Sequence, residues 1–234
     1  MSYQWVIFDA DDTLFHFDAF AGLQMTLATH GKDFNREDYA QYQAINTPLW
    51  QQYQQGEITA EDVKIRRFIP LAEELGISPR QLNQQFLASM AEVCHPLEGV
   101  RELLERLQGK VGLGIITNGL VDLQTARLAR NAMSHFFEVL VVSEAVGVAK
   151  PDPKIFRHTE LEVQKIKPNQ SLTPEQFLMV GDNPASDILG GQRAGWHTCW
   201  LNAAKTPAPD GILPNYTVSN HFELKRLLEE KISI

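Results

Sequence analysis

The chain is poor in cysteine. Its 234 residues include two, Cys94 and Cys199, far apart in the sequence. Neither a disulfide framework nor a zinc-ligand pattern is expected, and both are expected to act as small buried hydrophobes. A long basic run is also missing. With a net charge of -8, the chain is not suited to a nucleic-acid polymer or an anionic membrane as its main partner, although a small phosphorylated substrate would need only one local positive site. No apolar run approaches the ~20 residues that cross a bilayer. No basic segment followed by an apolar stretch precedes the first apolar run, so no signal peptide is expected and the expected compartment is the cytoplasm. Internal repeats and low-complexity tracts are absent as well. The 44% hydrophobic content is enough for a sizeable core, in one large domain or in a core with a smaller insertion.

Among what is present, the acidic run Asp9-Ala10-Asp11-Asp12-Thr13-Leu14 is the most informative, because it follows at once on Trp5-Val6-Ile7-Phe8. Four apolar residues with no polar break predict a strand buried on both faces of a parallel sheet, and ligands of such sheets collect beyond the carboxyl ends of the strands. Further apolar runs occur at Val111–Ile116, Val139–Val142, Phe177–Val180 and Thr198–Leu201. Their alternation with helical patterns predicts five parallel strands in a doubly wound α/β domain. Residues 15 to about 97 have another texture. Apolar and aromatic residues recur there at helical spacing, punctuated by Gly56, Gly76 and Pro79, which predicts an all-helical insertion. The expected division is a core of residues 1–14 and 98–234 with a helical cap of residues 15–97. An insertion rooted beside the Asp9 loop can roof a site there.

Each strand candidate runs into polar residues suited to phosphate chemistry: Thr117-Asn118-Gly119 after the second, Lys150-Pro151 after the third, and Gly181-Asp182-Asn183-Pro184-Ala185-Ser186-Asp187 after the fourth. Singly, these read as an ordinary turn, a surface lysine and a helix cap. Together, in this order and each after a buried strand, they read as one site. A carboxylate that attacks a phosphate dianion meets repulsion of about 4 kcal/mol per charge pair at ~4 Å and an effective dielectric of ~20. A divalent cation and one lysine offset that. Asp9, Asp11 and Asp182 supply hard oxygen donors, which favour magnesium. Lys150, the only lysine or arginine between Arg130 and Lys154, supplies the positive side chain.

The constellation resembles the haloacid dehalogenase-like (HAD) hydrolase superfamily over essentially the whole chain. Asp9, Asp11 and Thr13 match its first motif, Thr117 its second, Lys150 its lysine, Asp182 and Asp187 its acidic motif, and the helical insertion its cap. Phe8–Phe15, Asn46-Thr47-Pro48-Leu49-Trp50 and Val146–Pro151 look like the bacterial pyrimidine 5'-nucleotidase branch. The segment His158 to Gln176 is longer and more polar than the resemblance leads one to expect. The resemblance implies a Rossmann-like core and a magnesium-dependent hydrolysis of a small phosphate monoester, with Asp9 as nucleophile and Asp11 as acid and then base. It further implies magnesium held by Asp9, Asp182 and the backbone carbonyl of Asp11, and phosphoryl oxygens held by Thr117, Asn118 and Lys150. Asp187 supports Lys150 or a metal-bound water, and Asp12 is dispensable. The second acid, Asp11, separates this pattern from dehalogenases, whose halide leaves without a proton. For a substrate, a nucleobase could stack on aromatics such as Phe17 and Trp50, although helical aromatics also serve as plain core. The alternatives are a phosphatase of sugar phosphates or other small metabolites, and a non-catalytic interaction module. The last predicts loss of a motif residue, and none is lost.

Overall fold

Trp5-Val6-Ile7-Phe8 forms a central strand in the computed structural model of the protein, which describes residues 3–232. The strands are β1 (Trp5–Phe8), β2 (Gly112–Thr117), β3 (Val139–Val142), β4 (Phe177–Gly181), β5 (His197–Leu201) and β6 (Tyr216–Val218). The helices are α1 (Ala19–Ala28), α2 (Arg36–Gln54), α3 (Ala60–Arg66), α4 (Ile69–Leu75), α5 (Pro79–Val93), α6 (Val100–Leu107), α7 (Val121–Arg130), α8 (Ser143–Val146), α9 (Pro153–Ile166), α10 (Leu189–Arg193) and α11 (His221–Ile232). The sheet order is β3-β2-β1-β4-β5-β6, and every neighbouring pair is parallel. The five strands expected from the sequence are present, shifted by one residue at most at any end. The sixth, β6, is a short edge strand that no apolar run announces. Helix α9 forms despite its polar composition and is followed by a loop, which accounts for the length of the His158 to Gln176 segment.

By packing, the chain divides into two units. The first comprises the residues up to His16, Pro96–Asn118 and those from Met133 onward, and holds the sheet. One of its core clusters joins Trp5, Ile7, Ile116, Val141, Phe156, Phe177, Met179 and Trp196, with the Phe177 and Trp196 rings stacked at 4.7 Å between centroids. Close packing sets local sequence here, since a Cβ on Gly112 would meet the Trp5 indole at 2.5 Å.

The second unit comprises Phe17–His95 and Gly119–Ala132. Its helices start where side chains can accept from free backbone N–H groups: Asp18 for α1, Asn35 for α2, Thr59 for α3 and Ser78 for α5. Such caps each contribute about 0.5–2 kcal/mol. Helix α7 packs on α5, although the sequence division assigned residues from 98 onward to the core. The apolar side of an amphipathic helix shows that it is covered but not by what, so the sequence gives no sign of this partner. Among the described residues, no helix is long and apolar enough to cross a membrane.

Candidate active site

The loop after β1 starts with Asp9, whose N–H donates to Val180 O at 2.8 Å and so extends the β1–β4 pairing by one residue. The chain then turns tightly. Leu14 and Phe15 both donate to Ala10 O at 3.0 Å, and Asp12 donates to Phe15 O at 2.8 Å. Asp12 takes the left-handed conformation at φ 54°, which aspartate tolerates better than most residues. It is exposed, whereas Asp9 is buried and Asp11 half-buried.

Lys150 is the charge centre of the first unit. It is 1% exposed, and its Nζ lies 2.5 Å from Asp9 Oδ1, 2.7 Å from Asp187 Oδ1 and 2.8 Å from Ile116 O. Three acceptors fill all three ammonium donors. Burial alone would drive a lysine toward the neutral form, but the carboxylates of Asp187 and Asp9 outweigh it and raise its pKa, so it is an ammonium ion. Asn118 explains how the Lys150 loop is placed. Its Nδ2 donates to Lys150 O at 2.9 Å, and its Oδ1 accepts from Lys150 N at 2.8 Å. The side-chain amide expected to face phosphate is thus engaged in positioning Lys150.

Asp187 is completely buried. Beyond Lys150, it accepts from Asn183 N at 3.0 Å and from Ser186 Oγ at 3.1 Å. A π-helical stretch, Pro184–Ile188, carries it back under the end of β4, with Asn183 capping the stretch through Ala185 N and Ser186 N. Such bulged turns recur at functional sites. Gly181 is what permits the approach, since a Cβ there would lie 2.2 Å from Asp187 Oδ2. Gly181→Ala is therefore expected to destabilise the fold by about 1–3 kcal/mol, as overpacking does, measured by urea unfolding. A stability equal to wild type would show that Asp187 can move aside freely.

Asp182 is fixed by Thr13, which donates from Oγ1 to Asp182 Oδ1 at 3.1 Å and accepts from Asp182 N at 3.0 Å. The indole of Trp200 donates to Asp182 O at 2.8 Å. His221, at the start of α11, donates from Nε2 to Thr13 O at 2.7 Å; burial holds this imidazole below its ordinary pKa against the opposing pull of its backbone hydrogen bonds to Thr13 and Glu98. Thr13, Asn118, Ser186 and His221 are the supporting groups whose roles the sequence did not reveal. For His221 no local signal exists, because its partner is distant in the chain.

Carboxylate oxygens of Asp9, Asp182 and Asp187 lie within 4.8 Å of one another. The third member of the cluster is Asp187 and not the Asp11 side chain that the sequence reading grouped there. Asp187 has both oxygens engaged, Oδ1 by Lys150 and Ser186 Oγ and Oδ2 by Asn183 N, whereas Lys150 takes only Oδ1 of Asp9, so Asp9 and Asp182 are the carboxylates better suited to a cation. Burial first, and then the charges of Asp187, Asp11 and Asp182, push the Asp9 carboxyl up to about 8 against the opposing pull of Lys150. Burial and Asp187 push Asp182 up to about 7. Such hard oxygen donors, whose charge burial and neighbouring carboxylates disfavour, fit a divalent cation. Thr117, at the end of β2, is buried beside this edge of the sheet. A cavity of about 570 Å³ adjoins the site, lined by Asp12, Asp182, Trp200, Asn202 and His221 among others.

Phe17 and Trp50 belong to the helical unit, and both are half-buried. The Trp50 ring meets Tyr53 edge-on at 5.7 Å, while Phe20 packs on Tyr39 at 5.4 Å under the Arg36 guanidinium. Part of the aromatic content near the start of this unit is therefore internal packing.

A model of haloacid dehalogenase-like hydrolases matches residues 3–195. The chain belongs to this family. Over 228 residues it is 48% identical to the pyrimidine 5'-nucleotidase YjjG of Escherichia coli, covering 97% of this chain and 99% of that protein. It is 28% identical to the pyrimidine 5'-nucleotidase PynA of Streptococcus pneumoniae over 242 residues, covering 99% and 98%. The magnesium-bound crystal structure of the putative HAD-hydrolase YfnB from Bacillus subtilis superposes with a TM-score of 0.80 at 30% identity, covering 97% and 99%. This HAD hydrolase is thus an enzyme, and these relatives match 97–99% of the sequence.

Proposed function

We propose that this HAD hydrolase cleaves phosphate monoesters through an aspartyl-phosphate on Asp9, with pyrimidine nucleoside 5'-monophosphates as substrates. The end-to-end similarity to YjjG, named as a pyrimidine 5'-nucleotidase, carries the substrate assignment. The Asp9–Lys150–Asp187 arrangement supports the chemistry. One oxygen of Asp9 is tied to Lys150, and the other attacks phosphorus as the ester bond breaks. Asp11 gives the leaving alkoxide its proton. It then takes a proton from water as that water attacks the acyl-phosphate, releasing phosphate and restoring Asp9. The Thr117 hydroxyl and the Asn118 backbone N–H hold the phosphoryl oxygens, Lys150 lends its positive charge beside them while its donors stay on Asp9, Asp187 and Ile116 O, and the Asn118 amide keeps the lysine loop in register. Asp9, Asp182 and the Asp11 carbonyl would hold magnesium, which when bound neutralises charge on the carboxylates and the phosphoryl group.

The deciding experiment is a phosphate-release screen across pyrimidine and purine 5'-monophosphates and sugar phosphates, with magnesium and with excess chelator. Pyrimidine nucleotides should rank first, and chelation should abolish turnover reversibly. Preference for purine or sugar phosphates would overturn the nucleotidase assignment and leave the phosphatase mechanism standing, whereas full activity in chelator would remove the cation. Alanine at Phe17 or Trp50 should raise KM for nucleotides and spare a small generic phosphate ester. Equal losses on both would make these rings packing groups.

Asp11→Asn should slow release of a nucleoside far more than release of a nitrophenolate, since only the poorer leaving group needs a proton. General acid catalysis is worth about 10²–10⁴-fold, so the ratio of the two rates should widen by that order. An unchanged ratio would exclude Asp11 as the acid.

A further inference from the structure

The helical unit buries a cation that no acid answers. Arg67, the residue that ends α3, is 4% exposed. Its Nη2 donates to Asn83 Oδ1, the Tyr42 side chain lies beside it, and its Cζ lies 5.0 Å and 5.2 Å from the ring centroids of Phe68 and Phe86. All four partners are neutral. The Nε–H is buried with no hydrogen-bond partner. An arginine cannot escape by losing its proton. An uncompensated buried charge is strongly unfavourable, and its usual remedy is a counter-ion.

A cavity of about 150 Å³ within the same unit is lined by Arg67 and Tyr42 together with Lys32, Asp38, Leu71 and Glu74. The two acids on its rim are already committed. Glu74 pairs with Lys32 at 2.5 Å, and Asp38 accepts from Asn35 N at 2.9 Å in the cap of α2. Among the described residues that line the cavity, Arg67 is the cation without an ion-pair partner. The volume admits a group the size of sulfate, phosphate or a short carboxylate.

We infer that this cavity binds a small oxyanion, which supplies the counter-charge to Arg67 and accepts from its guanidinium beside the Tyr42 hydroxyl. The site lies wholly inside the helical unit and does not depend on the phosphatase reading. The test uses the full-length ¹⁵N-labelled chain and follows the Arg67 Nε–H resonance, assigned by its loss in Arg67→Lys. Sodium sulfate, sodium phosphate and sodium acetate are titrated separately against sodium chloride at matched ionic strength. At least one oxyanion should shift this resonance saturably while chloride does not, and the responding salt distinguishes a tetrahedral anion from a carboxylate. The same salt should raise Tm more in wild type than in Arg67→Met. A resonance that none of the three salts moves saturably overturns the inference, as does an Arg67→Met protein that keeps the whole oxyanion-dependent rise in Tm. Should Arg67→Met fail to fold, the wild-type titration decides alone.

Discussion

Asp9→Asn is expected to abolish hydrolysis, with a loss on the order of 10⁴-fold or more, the scale seen when a nucleophile is removed from a catalytic unit. The amide is nearly isosteric and can still accept from Lys150, but its oxygen cannot attack phosphorus. The fold should survive, because Lys150 keeps Asp187 at 2.7 Å and the Ile116 carbonyl at 2.8 Å. The substitution also removes one of three crowded carboxylates, which relieves the repulsion acting on Asp182. Steady-state kinetics and urea unfolding check both halves. Residual turnover well above a trace in a folded variant would take the nucleophile role away from Asp9.

Lys150→Met should have the largest effect on stability. It leaves Asp187, fully buried, and Asp9, nearly so, without the ammonium that compensates them. Removing one partner of a buried ion pair costs about 3–5 kcal/mol. The effect has a definite pH dependence in metal-free protein. Lys150 lowers the Asp9 pKa, so its removal moves that carboxyl further above its unfolded value. A carboxyl whose folded pKa is raised binds more protons in the folded state, so the variant loses stability as pH rises from the unfolded value toward the folded one. Both proteins lose stability alike up to the wild-type Asp9 value of about 8, above which only the variant goes on losing it, so the gap should be wider at pH 9.5 than at pH 7, as read from urea midpoints in chelator. A gap that narrows with rising pH would mean that the carboxylates find other compensation.

The sequence revealed the sheet because strands buried on both faces have little choice but to be continuous apolar runs, as in Trp5–Phe8 and Phe177–Val180. It did not reveal β6, whose three residues lie at an edge and alternate in exposure. The acidic and basic members of the site were legible from residue type and from their places after strands. What the sequence could not show was how they divide their bonds. Nothing local says that the Asn118 amide is taken by the Lys150 backbone, or that Asp187 joins Asp9 and Asp182 at close range. The second outcome depends on a strand-end glycine and on a π-helical turn, which are properties of packing and not of composition. The same limit applies to α7, whose amphipathic pattern suits either unit equally.

The central place of β1 has a consequence for biosynthesis. It leaves the ribosome before either of its neighbours, β2 and β4, so Trp5 pairs with Gly112 on one side and with Phe177 on the other only once those are made. The residues Phe17–His95 are all made before either neighbour exists. Through that interval a four-residue apolar segment waits with both backbone edges open, and one edge stays open until β4 emerges. Contacts this distant in the chain form late, and open apolar edges promote association. Nascent or truncated chains that stop before Phe177 should therefore aggregate, whereas the same strand in the finished protein is sealed on both sides.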